Sequence, residues 1–438
     1  MTPPYIRINF AGKFSQCVCI HSRKFKLNFC PQKKMVLNSV RLFAAIYRFL
    51  LLLPMSRDSG KSFLRSRSLT FINSSCVIYY WIGFIVSLST QDIKTNLISK
   101  TSNAIQLLVN ALGFTVVILN PCIRFSCFQE ILVHIQTLEV RLLTNGIFFK
   151  DGKIRRNALI FFIIPTIFLL YILIFDSILT FKVQKTLGIL YWIISIIPFN
   201  FILFTNIQLC LFLLLIRTIL KRCTEILARE LYTPPAKVFV GSSERRQPTL
   251  IPGIFYILTD VIDLSELVNT YFGPIFLITF SSIFVTSSIQ LYYIYIVLTA
   301  VDDESPWDNL KIFSFVGSIN IVFPNLILCI TVTWLCQGIR NVSRKNVVLI
   351  QKLQNRGSRD LLPVEIQKIV AALPYCTNEI TFSAMDCFKI DLNMLVGMFG
   401  TILTYLVIFI QFSNIYGVGY DMTHLMRSGL TRDSKSNM

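Results

Sequence analysis

Seven segments of this chain run for close to twenty residues or more without one Asp, Glu, Lys, Arg or His: Phe71–Ser89, Ala104–Cys122, Ala158–Phe175, Ile189–Ile216, Val268–Leu298, Ile312–Cys336 and Leu392–Phe412. A helix needs about 20 apolar residues to cross a hydrocarbon core of roughly 30 Å. In lipid the backbone must satisfy its own hydrogen bonds, so such a chain folds as a bundle of spanning helices. The fold class expected is an all-α polytopic membrane protein with seven transmembrane helices. A composition of 54% hydrophobic and 15% charged residues excludes an ordinary soluble domain.

Orientation follows from the placement of Lys and Arg. Of the 42 such residues, 34 fall in segments 1–70, 123–157, 217–267 and 337–391, and 8 fall on the other side. The positive-inside rule then puts the N-terminus in the cytosol and the C-terminus outside. That arrangement is opposite to a G-protein-coupled receptor, and no Glu/Asp-Arg-Tyr marks the third span.

The same segments exclude other classes. Coupled transporters and voltage sensors need ionisable groups at membrane depth, and these spans hold none. Three scattered histidines offer no metal site, and no P-loop, dinucleotide turn or nucleophile elbow is present. No cofactor and no catalytic residue are expected; the chain does not read as an enzyme. The net charge of +19 is expected to meet membrane lipids, not nucleic acid. All twelve cysteines lie in spans or cytosolic segments, which argues against a disulfide framework.

Residues 1–34 are basic and lack an apolar core, and are expected to be a dispensable extension. Segment 36–53 carries Arg41 and Arg48 on one face, which suits an amphipathic interfacial helix. Segment 71–336 is read as a six-helix sensing region. Its fourth and fifth apolar runs are too long for a bilayer, so their helices are expected to extend into the cytosol, the fourth as far as Pro234-Pro235. Residues 337–391 read as a cytosolic assembly segment, 392–412 as a pore helix, and 413–438 as an extracellular tail. The sequon at Asn73 lies in a span and that at Asn341 in the cytosol, so neither is expected to carry a glycan. Asn120-Pro121 reads as a helix end or kink.

The last span has a polar stripe. At 100° per residue, Asn393, Gly397, Thr401, Thr404, Ile408, Gln411 and Ile415 share an arc of roughly 80°. A Gln amide facing lipid is costly, so the stripe faces protein or water. Two readings stand: a pore lining shared among subunits, or a small-residue packing seam built on Gly397 and Thr401.

Thr404-Tyr405-Leu406-Val407-Ile408-Phe409-Ile410-Gln411-Phe412 resembles the signature of insect gustatory receptors: Thr-Tyr, five hydrophobic residues, Gln-Phe. The preceding run from Phe382 to Asp391 is similar to that family's approach to the last span. The resemblance implies a tetrameric, ligand-gated, nonselective cation channel of the plasma membrane, in the dendrites of sensory neurons. Subunits would be identical or mixed with other gustatory receptors. Its pore would be lined by the last helix at Thr401, Thr404 and Ile408, with Gln411 and Phe412 at the extracellular gate. The ligand would be a small tastant held in the outer half of the other spans. Candidates there are Gln106, Tyr171, Asp176, Tyr191, Trp192, Gln290, Tyr293 and Tyr295. The acidic loop residues Asp302, Asp303, Glu304 and Asp308 would gather inorganic cations at the mouth. Sugar-responding members commonly have Glu after the Thr-Tyr pair; Leu406 stands there, which points to a bitter or otherwise aversive tastant. The related odorant receptors share the inverted topology and are the nearest alternative.

Overall fold

The computed structural model describes residues 55–57, 63–65, 67–89, 97–147, 151–183, 188–232, 250–299, 309–355 and 380–416. The N-terminal segments 1–34 and 36–53, the acidic loop at 302–308 and most of the C-terminal tail lie outside them. Among the described residues the helices are α1 (Arg67–Ser89), α2 (Leu97–Ile123), α3 (Phe125–Thr144), α4 (Asp151–Val183), α5 (Gly188–Tyr232), α6 (Leu250–Thr299), α7 (Asn309–Asn355) and α8 (Leu392–Tyr416).

The all-helical fold class holds, with one short hairpin ahead of the bundle. β1 (Met55–Arg57) and β2 (Phe63–Arg65) pair antiparallel, with Met55 opposite Arg65. Asp58-Ser59-Gly60 between them are residues that favour chain reversal.

Six helices (α1, α2, α5, α6, α7 and α8) are long and apolar enough to cross a membrane. In α4 the apolar stretch among the described residues, Phe162–Phe175, is shorter. The chain is a multi-pass membrane protein. α5, α6 and α7 have 45, 50 and 47 residues, which makes each roughly 70 Å long. No bilayer core of about 30 Å covers that length. The three helices therefore run beyond the membrane together, and α5 ends at Tyr232, just short of Pro234.

α3, within segment 123–157, packs along the extension of α6. Phe128, Ile131, Leu132, Ile135, Leu138 and Leu142 are buried on one face of it, at spacings of three and four. Arg141 of α3 forks onto Asp260 of α6 at 2.6 and 2.7 Å.

The join between α2 and α3 is set by prolines. Pro274 has no N–H to give to the carbonyl of Thr270, and Arg124 donates its guanidinium to that oxygen instead. Asn120, buried, donates to the next carbonyl, Tyr271, at 3.1 Å. The helical backbone leaves α geometry at Arg124 (φ −101, ψ 32), three residues after Pro121. Asn120-Pro121 thus marks a helix end, and its Asn is what fastens that end to α6. Near the bundle centre, Gly113 of α2 lets α5 approach: a Cβ there would sit 2.5 Å from Cδ1 of Ile202. Asn73 is buried and donates to Cys122.

Candidate functional site

Residues 380–391 form a tight hairpin that launches α8. Cys387 N–H donates to the Ala384 carbonyl at 3.0 Å, Ile390 N–H to Phe382 at 2.9 Å, and Ser383 bridges to Lys389. Its two central residues, Met385 and Asp386, both have positive φ (51° and 60°). Left-handed backbone at non-glycine residues costs roughly 1–2 kcal/mol each. The cost is offset by anchoring. Ser383 donates from its hydroxyl to Asp386 at 2.8 Å and from its N–H to the Asn269 side chain of α6 at 2.9 Å. Asp391 then caps α8 by accepting the Met394 N–H at 2.9 Å. The segment that resembles the gustatory receptors is therefore the clamp that aims the last helix.

α8 lies against α6 and α7 by one narrow face. Leu395 and Ile402 are buried, with Met394, Met398 and Phe399 half-buried beside them. Tyr405 meets Phe284 edge-on at 5.6 Å, and Phe409 packs at 5.4 Å from Tyr292. Where the start of α8 leaves α6, an open apolar groove of about 480 Å³ is lined by Phe280, Phe284, Phe388, Met394 and Met398. None of the candidate ligand residues lines it.

The polar stripe points the other way. Asn393, Gly397, Thr401, Thr404, Ile408 and Gln411 are all exposed on the single chain. The threonine hydroxyls turn back onto their own helix, Thr401 to Gly397 O at 2.8 Å and Thr404 to Gly400 O at 2.9 Å. Nothing lies within 4 Å of where a Cβ on Gly397 would sit, so the glycine makes no close helix contact inside the chain. Only 11% of this span is buried, against 67% for α5 and for α6. Phe412 is also exposed, on the flank of the stripe.

The candidate ligand residues fall into groups. Gln290 of α6 donates to Gln106 of α2 at 3.3 Å, so those two meet. One turn on, Tyr293 donates to Asn103 at 2.9 Å. One turn the other way on this antiparallel seam, Asn110 Oδ1, Thr286 Oγ1 and Ser287 Oγ are buried and have no partner. Sequence reasoning missed those three, although Asn103, Gln106 and Asn110 repeat at helical spacing. Tyr295 is half-buried on α6. Tyr171 is not brought to the seam. It is exposed on α4, stacked along its own helix on Phe168 and Phe175 at 6.1 and 6.0 Å. Asp176, Tyr191 and Trp192 sit in α4 and α5, with side chains outside the described set. Asp302, Asp303, Glu304 and Asp308 lie outside it altogether.

The family described as 7tm Chemosensory receptor matches residues 40–415, nearly the whole chain. Among characterised proteins, Gustatory receptor 23a of Drosophila melanogaster is 29% identical over 149 residues, 33% of this chain and 36% of that protein. The alignment thus spans about a third of that relative's length. In solved structures the fold is similar to the olfactory receptor OR5 of Machilis hrabei. With eugenol bound, that receptor aligns at TM-score 0.54 and 14% identity, covering 86% of this chain and 99% of its own. The same receptor without eugenol aligns at TM-score 0.56 and 12% identity over the same shares. The family match runs over nearly the whole bundle and decides where the chain stands: it belongs to the 7tm chemosensory receptor family, of receptors and not enzymes.

Proposed function

We propose that this protein is a taste receptor that works as a ligand-gated, nonselective cation channel of the plasma membrane, assembled as a tetramer. The observation that carries the proposal is the polar stripe of α8, exposed on the side of the helix turned away from its own bundle. The Gln411 amide cannot be left to lipid at such exposure. A ring of copies brings the stripes together around water, and inorganic cations then pass along Thr401, Thr404 and Ile408 to a gate at Gln411 and Phe412. Asp302, Asp303, Glu304 and Asp308 would concentrate cations outside it.

The ligand-binding part of the proposal rests on the α2–α6 seam. Buried polar atoms without partners cost about 1–3 kcal/mol each. Asn110, Thr286 and Ser287 therefore favour a small molecule with its own donors and acceptors, beside the Gln106–Gln290 pair. A bitter tastant of that kind fits Leu406 in the last span. The second reading, an odorant-type channel, is favoured by the likeness of fold to the olfactory receptors.

The test is patch recording from cells that express this chain alone, presented in turn with sugars, plant alkaloids and volatile odorants. Unitary cation currents evoked by an alkaloid are the expected result; responses only to volatiles would favour the odorant reading. Saturable flux without unitary currents would overturn the channel.

The charge split of 34 against 8 supports the inverted orientation, with seven spans and the α3 end of the bundle in the cytosol. An epitope placed after Met438 is expected to stain on intact cells, and one before Met1 only after permeabilisation. The reverse pattern would overturn the orientation.

A further inference from the structure

The seam between α5 and α7 carries a feature that ligand gating does not use. The two helices are parallel neighbours: Thr224 of α5 donates to Asn346 of α7 at 2.7 Å, and Asn346 donates to the Leu220 carbonyl at 3.3 Å. Seven residues before Thr224, where the apolar run of α5 ends at Ile216, Arg217 crosses to α7. Its guanidinium lies 3.8 Å from the centroid of the Trp334 ring. It also fills the notch left by Gly338, whose missing Cβ would stand 2.8 Å from the guanidinium carbon. A stacked arginine in a glycine notch is held in place before anything binds.

The charge around it is mainly positive. Lys221 is exposed and has Arg217 and Lys345 of α7 as electrostatic neighbours. The nearby acid is Glu225, and its carboxylate is taken by Arg222 at 2.7 Å. The Nε of Arg217 is buried with no partner. Three cations thus gather beside a single carboxylate, which Arg222 already engages.

What lies above this cluster identifies its occupant. Phe323, Ile327, Ile330 and Trp334 follow one another on α7 at spacings of 4, 3 and 4 and are 54, 47, 48 and 51% exposed. Continuing the same arc come Gly338, Asn341 and Lys345. One face of α7 is therefore an exposed apolar track that ends in a basic seat, the shape of an acyl chain under a charged headgroup.

We propose that Arg217, Lys221 and Lys345 form a seat for the phosphate of an anionic phospholipid, of the phosphoinositide class, with its acyl chain along Phe323–Trp334. The leaflet is the inner one if the orientation proposed above holds; the seat itself does not depend on channel activity.

The full chain, purified in detergent, tests this by lipid retention in native mass spectrometry. The probes are phosphatidylinositol bisphosphate, phosphatidylcholine and, as the soluble counterpart, inositol trisphosphate. The wild type is expected to retain the bisphosphate lipid over phosphatidylcholine. Lys221→Gln with Lys345→Gln is expected to weaken that retention by about tenfold or more, since a basic residue near an anionic surface contributes about 1 kcal/mol. Both lysines are exposed, so the variant should fold. Lys389→Gln, exposed and outside the cluster, should change nothing. Equal retention of the two lipids, or of the bisphosphate lipid by both proteins, would overturn the seat. Inositol trisphosphate binding as tightly as the lipid would overturn the lipid as its occupant.

Discussion

Replacing Phe412 with Ala is expected to give current in the absence of ligand. Phe412 sits at the end of the Thr404–Phe412 signature, exposed on the flank of the α8 stripe. In the proposed ring of four copies its side chains would meet at the axis and hold the mouth closed by excluding water. Fully burying a Phe side chain contributes roughly 1.5–3 kcal/mol, so losing even part of that at each of four positions takes about 3 kcal/mol or more from the closed state. At about 1.4 kcal/mol per tenfold, the closed–open balance moves by about a hundredfold or more. Gln411 lies about 100° from it on the helix, inside the stripe, so a modest rotation exchanges one for the other. Gln411→Leu is expected to leave assembly unchanged and to reduce or abolish evoked current. The control position matters here. Ile402, opposite the stripe, is only 3% exposed because that face packs on the bundle, and Ile402→Val would cost about 1 kcal/mol of core packing. Leu403, 59% exposed and off the stripe, is the better control, with Leu403→Val close to wild type. Phe412→Ala channels silent at rest and opening normally with ligand would place the gate elsewhere.

The stripe was legible in the sequence because helical geometry alone puts seven positions in one arc. Which way that arc faces was not. The answer depended on Leu395, Ile402 and Phe409 packing onto α6, and no local pattern separates a buried apolar face from a lipid-facing one. Long apolar helices were legible for the same reason as the stripe, since length and composition decide spanning. α3 also has a helical signal, with Phe128, Ile131, Ile135, Leu138 and Leu142 at spacings of three and four, but segment 123–157 entered the sequence analysis only through its charge. The ligand residues divided on a different principle. Gln106 and Gln290 are 184 positions apart in sequence and meet only through the antiparallel register of α2 on α6. Tyr171 had the right chemistry at the right depth, but α4 turns it outward. Burial of a lone polar side chain is a tertiary fact, and Asn110, Thr286 and Ser287 could be found only once the seam was assembled.

Exchange of Arg141 and Asp260 is the second large effect expected, and it concerns assembly rather than gating. Asp260 is on the part of α6 that extends toward α3, with its side chain 13% exposed, and Arg141 is 39% exposed. The contact between them at 2.6 and 2.7 Å is a charged tie between α3 and the long helix that carries the α8 clamp at Asn269. Removing one member of a well-buried pair costs about 3–5 kcal/mol. Partial exposure of Arg141 lowers that here to about 1–3 kcal/mol. Asp260→Arg sets two cations against each other, and Arg141→Asp sets its carboxylate beside Asp260 and near Asp263. Each single variant is therefore expected to reach the cell surface at a small fraction of the wild-type level. The double variant restores one positive and one negative charge at the same contact and is expected to recover much of that loss. Surface biotinylation of the four proteins measures the coupling directly. Single variants that traffic normally would show the tie to be dispensable. Losses that simply add in the double variant would show that each side chain acts through other contacts, and that packing of Phe128, Ile135 and Leu142 alone fixes α3 beneath the bundle.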